Sequence, residues 1–225
     1  MTPKLALLEE YALIARALGA PHRMMLLEQL AQGERGVEAL AEKVGVTVAN
    51  CSQHLQQLRR AGLVTSRRAG KAVIYRMTDD KTLVLMDLLA RIARQNLSVV
   101  EEILHGLSEG QPSEAITRAE LAERLQEGSV TVLDIRPKDE FAMGHIPGAI
   151  QIDLSNLDKM VGQLDTATEI VAYCRGPYCV YAHQAVAILR QKGLKARRLE
   201  GGLPDWRGEG RAVQTLTLQT VRRPA

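Results

Sequence analysis

Cysteine is scarce in this chain of 225 residues: there are three, at positions 51, 174 and 179. So sparse and odd a set excludes a secreted disulfide framework and points to local thiol chemistry in a reducing compartment. No run of about eighteen apolar residues occurs, so no membrane-spanning helix is expected. The opening TPKLALLEEYALIARAL carries acidic residues at helical period, unlike a secretory leader. The expectation is a cytoplasmic protein without a membrane partner. Internal repeats and low-complexity tracts are also missing, and the length suits two modest domains, each with its own core.

One absence is local. Between Thr47 and Thr78 there is no Asp or Glu, while Arg59, Arg60, Arg67, Arg68, Lys71 and Arg76 all fall there. The net charge is +3, and the whole excess lies in residues 1–107. A polyanionic partner is therefore expected for the first half only.

What is present divides at SEGQPSEA, a polar stretch with Gly and Pro that reads as a linker over 108–115. Before it, apolar residues recur at helical spacing from Leu5 to Leu30 with a break at Gly19 to Pro21, and a short helix ends at Gly45. Thr47 sits where an N-cap belongs, ahead of VANCSQHLQQLRRAG. LVTSRRAGKAVIYRMT reads as a hairpin turning at Ala69 and Gly70. A long apolar helical pattern then runs from Lys81 to Leu104, more than one flank of a small domain hides, which suggests self-association through this segment and the first helix. After the linker, strand-like VTVLDI, EIVAYC and KARRLE alternate with helical TRAELAERLQ and VYAHQAVAILRQKG, the pattern of a parallel α/β sheet. The last fifteen residues, 211–225, give no clear assignment and are taken as a tail.

Winding the helix after Thr47 at about 100° per residue puts Cys51, Leu55, Leu58 and Gly62 on one side. Ala49, Gln53, Gln56 and Arg60 lie opposite, flanked by Asn50, Ser52 and Gln57. Amides there can pair with adenine, and Ser and Arg reach phosphate or guanine, so Ser52, Gln53, Gln56 and Arg60 are candidates for DNA contact. The run from Ala17 through Thr78, with LGAPHRMMLLEQL, VTVANCSQHLQQLRRAGLVTSRR and GKAVIYRMTD, resembles the winged helix-turn-helix of the ArsR family of bacterial repressors. That resemblance covers about the first hundred residues. It implies a homodimer on double-stranded, pseudo-palindromic operator DNA, with Arg67, Arg68 and Lys71 of the wing on phosphate or the minor groove.

Metal-sensing members of that family use a Cys-x-Cys pair, which here would be Gly36 and Glu38. Others use an Asp, two His and a Glu, which here are Asp87, Leu89, Val100 and Ile103. Neither set offers the ligands a metal needs, so no metal and no cofactor are expected. Cys51, on the inner face, reads as core filler or else as a redox or sulfur-sensing thiol.

In AYCRGPYCVY, residues 172–181, a strand ends at Cys174 and a helix follows a tight loop. That places the sulfur near backbone N–H groups without helical partners, which favour a thiolate. With LDIRP (133–137), FAMGHIPGAIQID (141–153) and LEGGLPDW (199–206), the segment 116–210 resembles a single rhodanese domain. The resemblance implies that Cys174 carries a persulfide taken from a sulfane sulfur donor such as thiosulfate, polysulfide or a low-molecular-weight persulfide. It also implies that Arg175, Gly176, Pro177, Tyr178 and Cys179 form the cradle, that Asp134 and Arg136 support the loop, and that His145 and Gly148 shape a turn. Gly201 and Gly202 look like backbone devices before the helix that holds Trp206. Related phosphatase loops carry Arg six positions after the cysteine; Val180 stands there, which disfavours phosphoryl chemistry. Cys179 either resolves the persulfide as a disulfide or only packs at the first helical turn.

The expected fold is a mainly α winged helix-turn-helix domain for DNA binding and dimerisation (1–107) followed by an α/β rhodanese-like domain (116–210). The expected function is transcriptional regulation, most simply repression, by a protein that senses or transfers sulfur. A sulfurtransferase merely dimerised or autoregulated by its first half, and a catalytically idle binding module, are the alternatives.

Overall fold

A computed structural model of the chain describes residues 2–107, 115–164, 167–176 and 179–216. The chain divides into two compact units, 1–88 and 89–225.

In the first unit, α1 (Pro3–Leu18) is capped by Thr2, whose hydroxyl accepts from the Leu5 N–H, and α2 (Pro21–Ala31) begins on a proline whose missing N–H costs nothing in a first turn. After β1 (Arg35–Gly36) comes α3 (Val37–Val44), closed by Gly45 at φ 74°. Helix α4 (Val48–Arg60) starts where the sequence indicates: the Thr47 hydroxyl accepts from the Asn50 N–H at 3.2 Å. The hairpin is β2 (Val64–Ala69) and β3 (Ala72–Met77), and β3 also pairs with β1, so the wing sheet runs β1-β3-β2, antiparallel throughout. Leu26, Leu27, Leu40, Cys51, Leu55 and Leu58 are fully buried and fill this core. The inner face of α4 is as its periodicity indicates, except that Gly62 is exposed, because the helix ends at Arg60 before the pattern reaches it.

The long pattern from Lys81 is two helices, α5 (Lys81–Asn96) and α6 (Ser98–Leu107). Apolar period alone carries through the break. The interruption comes from the polar pair around Leu97: the Asn96 side chain donates to the Ile92 carbonyl at 2.8 Å, competing with the helical ladder. The boundary between the compact units falls within α5, and α6 packs against a helix of the second unit, α10 (Tyr181–Gln191).

The second unit is a parallel sheet of five strands, β4 (Ala115–Ile116), β5 (Val130–Asp134), β6 (Ile150–Gln151), β7 (Glu169–Tyr173) and β8 (Ala196–Leu199), in the order β4-β8-β7-β5-β6. Besides α10 it carries α7 (Arg118–Glu127), α8 (Lys138–Met143), α9 (Leu154–Met160) and α11 (Leu203–Gly208). Central strand β7 alternates between two cores. Ile170 and Ala172 pack with Leu133, Ala185, Val186 and Leu189, while Val171 and Tyr173 pack with Val132, Leu121, Leu199 and Trp206. Burial on both faces explains why EIVAYC reads as a nearly continuous apolar run. It also fixes the next residue, Cys174, at the carboxyl end of the middle strand, where open α/β sheets bind their ligands. No helix among the described residues is long and apolar enough to cross a membrane.

Candidate functional site

Cys174 leaves β7 and is joined by a disulfide to Cys179, just before α10, with Cα atoms 6.1 Å apart. Both cysteines are buried. The loop turns at Gly176, whose φ of 154° lies where L side chains rarely go, and the Cys179 N–H donates to the Gly176 carbonyl at 3.0 Å. That N–H is therefore turned toward the loop backbone. Pro177 and Tyr178, assigned to the cradle from sequence, lie outside the described residues.

The floor of the loop is Gly202. The Leu203 N–H donates to the Cys174 carbonyl at 3.3 Å, and the Gly202 N–H donates to Asp205 Oδ2 at 2.8 Å. A Cβ on Gly202 would stand 2.4 Å from the Gly176 nitrogen and 2.6 Å from both the Arg175 carbonyl carbon and the Cys174 oxygen. Two stretches of main chain thus meet where only glycine fits. This is the physical content of the backbone role expected for Gly202.

Asp134 and Arg136 are both fully buried and face each other: Arg136 Nε donates to Oδ1 at 2.9 Å and Nη2 to Oδ2 at 2.5 Å. Nη2 also donates to the Gly144 carbonyl at 2.6 Å, and the Tyr173 hydroxyl donates to Asp134 Oδ2 while accepting from the Ile146 N–H. Burial pushes the Tyr173 phenol far above its ordinary range, and the Asp134 carboxylate adds to the effect. Burial works to lower the Arg136 pKa, but Asp134 outweighs it and the net direction is upward. The group is a fixed ion pair that ties the ends of β5 and β7 to the turn after α8. It positions Tyr173, the residue before Cys174. His145 shapes that turn: its ring stacks on Phe141 at 3.7 Å, and its backbone exchanges two hydrogen bonds with Gln214 of the tail.

Arg175, assigned to the cradle from sequence, is held by Glu140 of α8. Its Nε reaches Oε2 at 2.9 Å and its Nη2 reaches Oε1 at 2.8 Å, with the Glu140 side chain fully buried and Arg175 13 % exposed. The guanidinium carbon also lies 5.9 Å from the Tyr181 ring centre. Sequence reasoning missed Glu140. Its one signal was an acid in the first turn of a short helix, and nothing local says that such an acid turns inward.

On the first unit, Gln53, Gln56 and Arg60 are exposed on one side of α4, Ser52 is half-buried, and Arg67, Arg68 and Lys71 are exposed on the hairpin. Arg67 reaches Glu34 at 2.8 Å, a bridge between side chains 60 % and 39 % exposed. An exposed pair of this kind contributes little and opens readily to a phosphate. Cys51 is sealed beneath the same helix, and burial pushes its thiol up to about 11. Among the described residues no group of three or more His, Cys, Asp or Glu side chains could hold a metal ion.

Comparison with known proteins matches both halves. A rhodanese-like domain model covers residues 117–209 and a helix-turn-helix domain model covers residues 18–67. The chain is 41 % identical over 210 residues to the HTH-type transcriptional regulator Rv0324 of Mycobacterium tuberculosis, spanning 93 % of this chain and 92 % of that one. It is 36 % identical over 86 residues to the nodulation protein NolR of Rhizobium meliloti, spanning 38 % of this chain and 70 % of that one. Among solved structures, the homodimeric winged helix-turn-helix DNA-binding domain of a possible ArsR-family regulator from Mycobacterium bovis is 37 % identical, covering 43 % of this chain and 90 % of that one with a TM-score of 0.40. A rhodanese-related protein from Thermoplasma volcanium is 31 % identical, covering 46 % of this chain and 99 % of that one with a TM-score of 0.42.

Proposed function

The chain belongs to the family of HTH-type transcriptional regulators in which an ArsR-type helix-turn-helix domain precedes a rhodanese-like domain, and on that premise we propose that it is a cytoplasmic, dimeric, operator-binding repressor whose DNA affinity is set by the sulfur state of Cys174. Residues 1–107 bind DNA and dimerise, 108–115 link, 116–210 handle sulfur, and 211–225 are a tail. The observation that carries this reading is the Cys174–Cys179 pair itself, two thiols within bonding distance across one loop between a central strand and a helix.

The chemistry balances without an outside oxidant. In the reduced loop the Cys174 thiolate attacks the outer sulfur of a persulfide R–S–S–H, the S–S bond breaks, R–S⁻ leaves, and Cys174–S–S–H forms. The Cys179 thiolate then attacks the Cys174 sulfur, HS⁻ leaves with the electron pair of the outer S–S bond, and the disulfide closes. A thiol reductant reopens it. For this cycle to act on transcription, the two sulfur states must differ in their free energy on the DNA-competent form.

The apolar faces of α1 (Leu5, Leu8, Tyr11) and α5 (Val84, Leu85, Leu88) are exposed and support a second copy as dimer partner. The exposed bases of α4 and the hairpin support DNA as the polyanion.

The test is a gel shift on the DNA upstream of the chain's own gene, before and after polysulfide, with Cys174→Ser and Cys179→Ser beside the wild type. The expected result is a change in wild-type affinity that both variants lack. Equal binding under all conditions would leave the loop as an enzyme site on a constitutive DNA binder. That second reading, favoured by the position of Cys174 at the carboxyl end of β7, predicts steady sulfur turnover that survives deletion of residues 1–107.

A further inference from the structure

Resting on the persulfide reading of Cys174, we propose that Glu140 is the residue that sets donor specificity: by cancelling the charge of Arg175 it tunes the loop to organic persulfides and against thiosulfate. Thiosulfate is a dianion and leaves as sulfite, also a dianion, so a loop that loads from it needs positive charge beside the nucleophile. An alkyl persulfide brings at most one charge and leaves as a thiolate. The cation adjacent to Cys174 in sequence is Arg175, and it is engaged at both ends of its fork by a carboxylate with no exposure to solvent. The Tyr181 ring holds the guanidinium from a second direction.

A bidentate pair with one member fully buried is far more persistent than a surface bridge, so the arriving donor meets a neutral unit and not a mobile cation. One loop N–H fares similarly: that of Cys179 is engaged with the Gly176 carbonyl. The two transfers differ only in what they ask of this field. From thiosulfate, Cys174–S⁻ attacks the sulfane sulfur and the S–S bond pair leaves on sulfite, giving Cys174–S–S⁻. From R–S–S–H, the same attack expels R–S⁻ and gives Cys174–S–S–H. The first places two additional units of negative charge beside the loop throughout.

The experiment uses the full chain, reduced and freed of reductant, mixed in single turnover with either thiosulfate or the persulfide of 2-mercaptoethanol, which has no charged group besides the persulfide. Sulfur on Cys174 is read by intact-protein mass spectrometry in a Cys179→Ser background, which prevents resolution. For wild-type Glu140 the persulfide should load at least about tenfold faster than thiosulfate, because the Cys174 thiolate repels the dianion and the paired Arg175 offers no compensating charge, a unit of charge being worth about that factor in a partly solvated site. In Glu140→Gln, which leaves Arg175 charged, the ratio of the thiosulfate rate to the persulfide rate should rise about tenfold, and added salt should erase the gain. The double variant Glu140→Leu with Arg175→Met removes both charges of the pair, so it keeps the test readable should the single change unfold the chain. Its ratio should stay within about threefold of the parent, because the net charge is the same.

A parent that loads faster from thiosulfate, or a Glu140→Gln ratio that does not move, overturns the proposal. Loading from neither donor overturns it together with the persulfide reading beneath it. Donor preference is measured without DNA, so a negative gel shift leaves this result standing.

Discussion

Replacing Gly202 with alanine adds one methyl group at the tightest point of the loop. The new carbon would stand 2.4 Å from the Gly176 nitrogen and 2.6 Å from two further main-chain atoms, against about 3.5 Å for a relaxed contact. All three neighbours are backbone, so no side chain can swing aside and the loop or α11 must retreat by about 1 Å. Gly202 itself is extended, at φ −155°, a conformation any residue adopts. The penalty is therefore purely steric. Overpacking of this kind costs about 1–3 kcal/mol, and backbone on three sides puts this case at the upper end. For a chain of this size that lowers Tm by on the order of 5–10 °C. The assay is thermal unfolding followed by circular dichroism, with Gly208→Ala as control. That glycine ends α11 with nothing within 4 Å of an added Cβ, so alanine there should be neutral or stabilise by up to about 1 kcal/mol. Displacing the loop should also slow closure of the Cys174–Cys179 disulfide by oxidised glutathione. A Gly202→Ala protein that melts within about 1 °C of the wild type and closes its disulfide at the same rate would refute the reasoning.

Asp134→Asn leaves the Arg136 guanidinium buried without its counter-charge and should destabilise by about 3–5 kcal/mol, whereas Tyr173→Phe removes one hydroxyl from the same group and should cost about 1–2 kcal/mol; urea unfolding separates the two. His183, in the first turn of α10, is lowered to about 4 by burial first and then by Arg198 of β8 and Arg94 of α5. Its folded pKa lies below its unfolded one, so the unfolded chain binds the extra proton: stability should fall as pH drops through about 6.5 and level off below about 4, by about 3 kcal/mol in all. His183→Gln should flatten that part of a stability-against-pH curve. On the first unit, Arg68→Ala or Lys71→Ala should weaken operator binding and reduce the slope of log affinity against log salt by about 1, with little change in sequence preference. Gln53→Ala should do the reverse, costing about 1–3 kcal/mol at one base position and leaving the salt slope unchanged.

Much of the fold was legible because its signals are local. Thr47 announces α4 by supplying an acceptor to a first-turn N–H, Gly45 and Gly70 supply positive φ where helix and hairpin turn, and the double-sided apolar run of β7 marks a central strand. The short strands β1, β4 and β6 were not legible, since two residues carry no period and pair only because a longer neighbour offers an edge. The break between α5 and α6 was hidden for a related reason: Leu97 and Val99 continue the apolar pattern across a point where Asn96 has already diverted a carbonyl. At the loop, the identity and position of the thiols could be read, but the fate of Arg175 could not. Its partner is 35 residues away in sequence, and an acid in the first turn of a short helix ordinarily faces water.

The three cysteines also decide what oxidation can do between molecules. Cys51 lies beneath the outward-facing side of α4 with no exposed surface, and burial holds it almost wholly as the thiol at neutral pH. Once Cys174 and Cys179 have closed on each other, the chain has no thiol left that a neighbour could reach. Oxidative stress therefore cannot staple two copies together or tether the protein to a bystander. The covalent event stays inside one loop, a thiol reductant reverses it, and the non-covalent assembly on either side of it remains free to come apart.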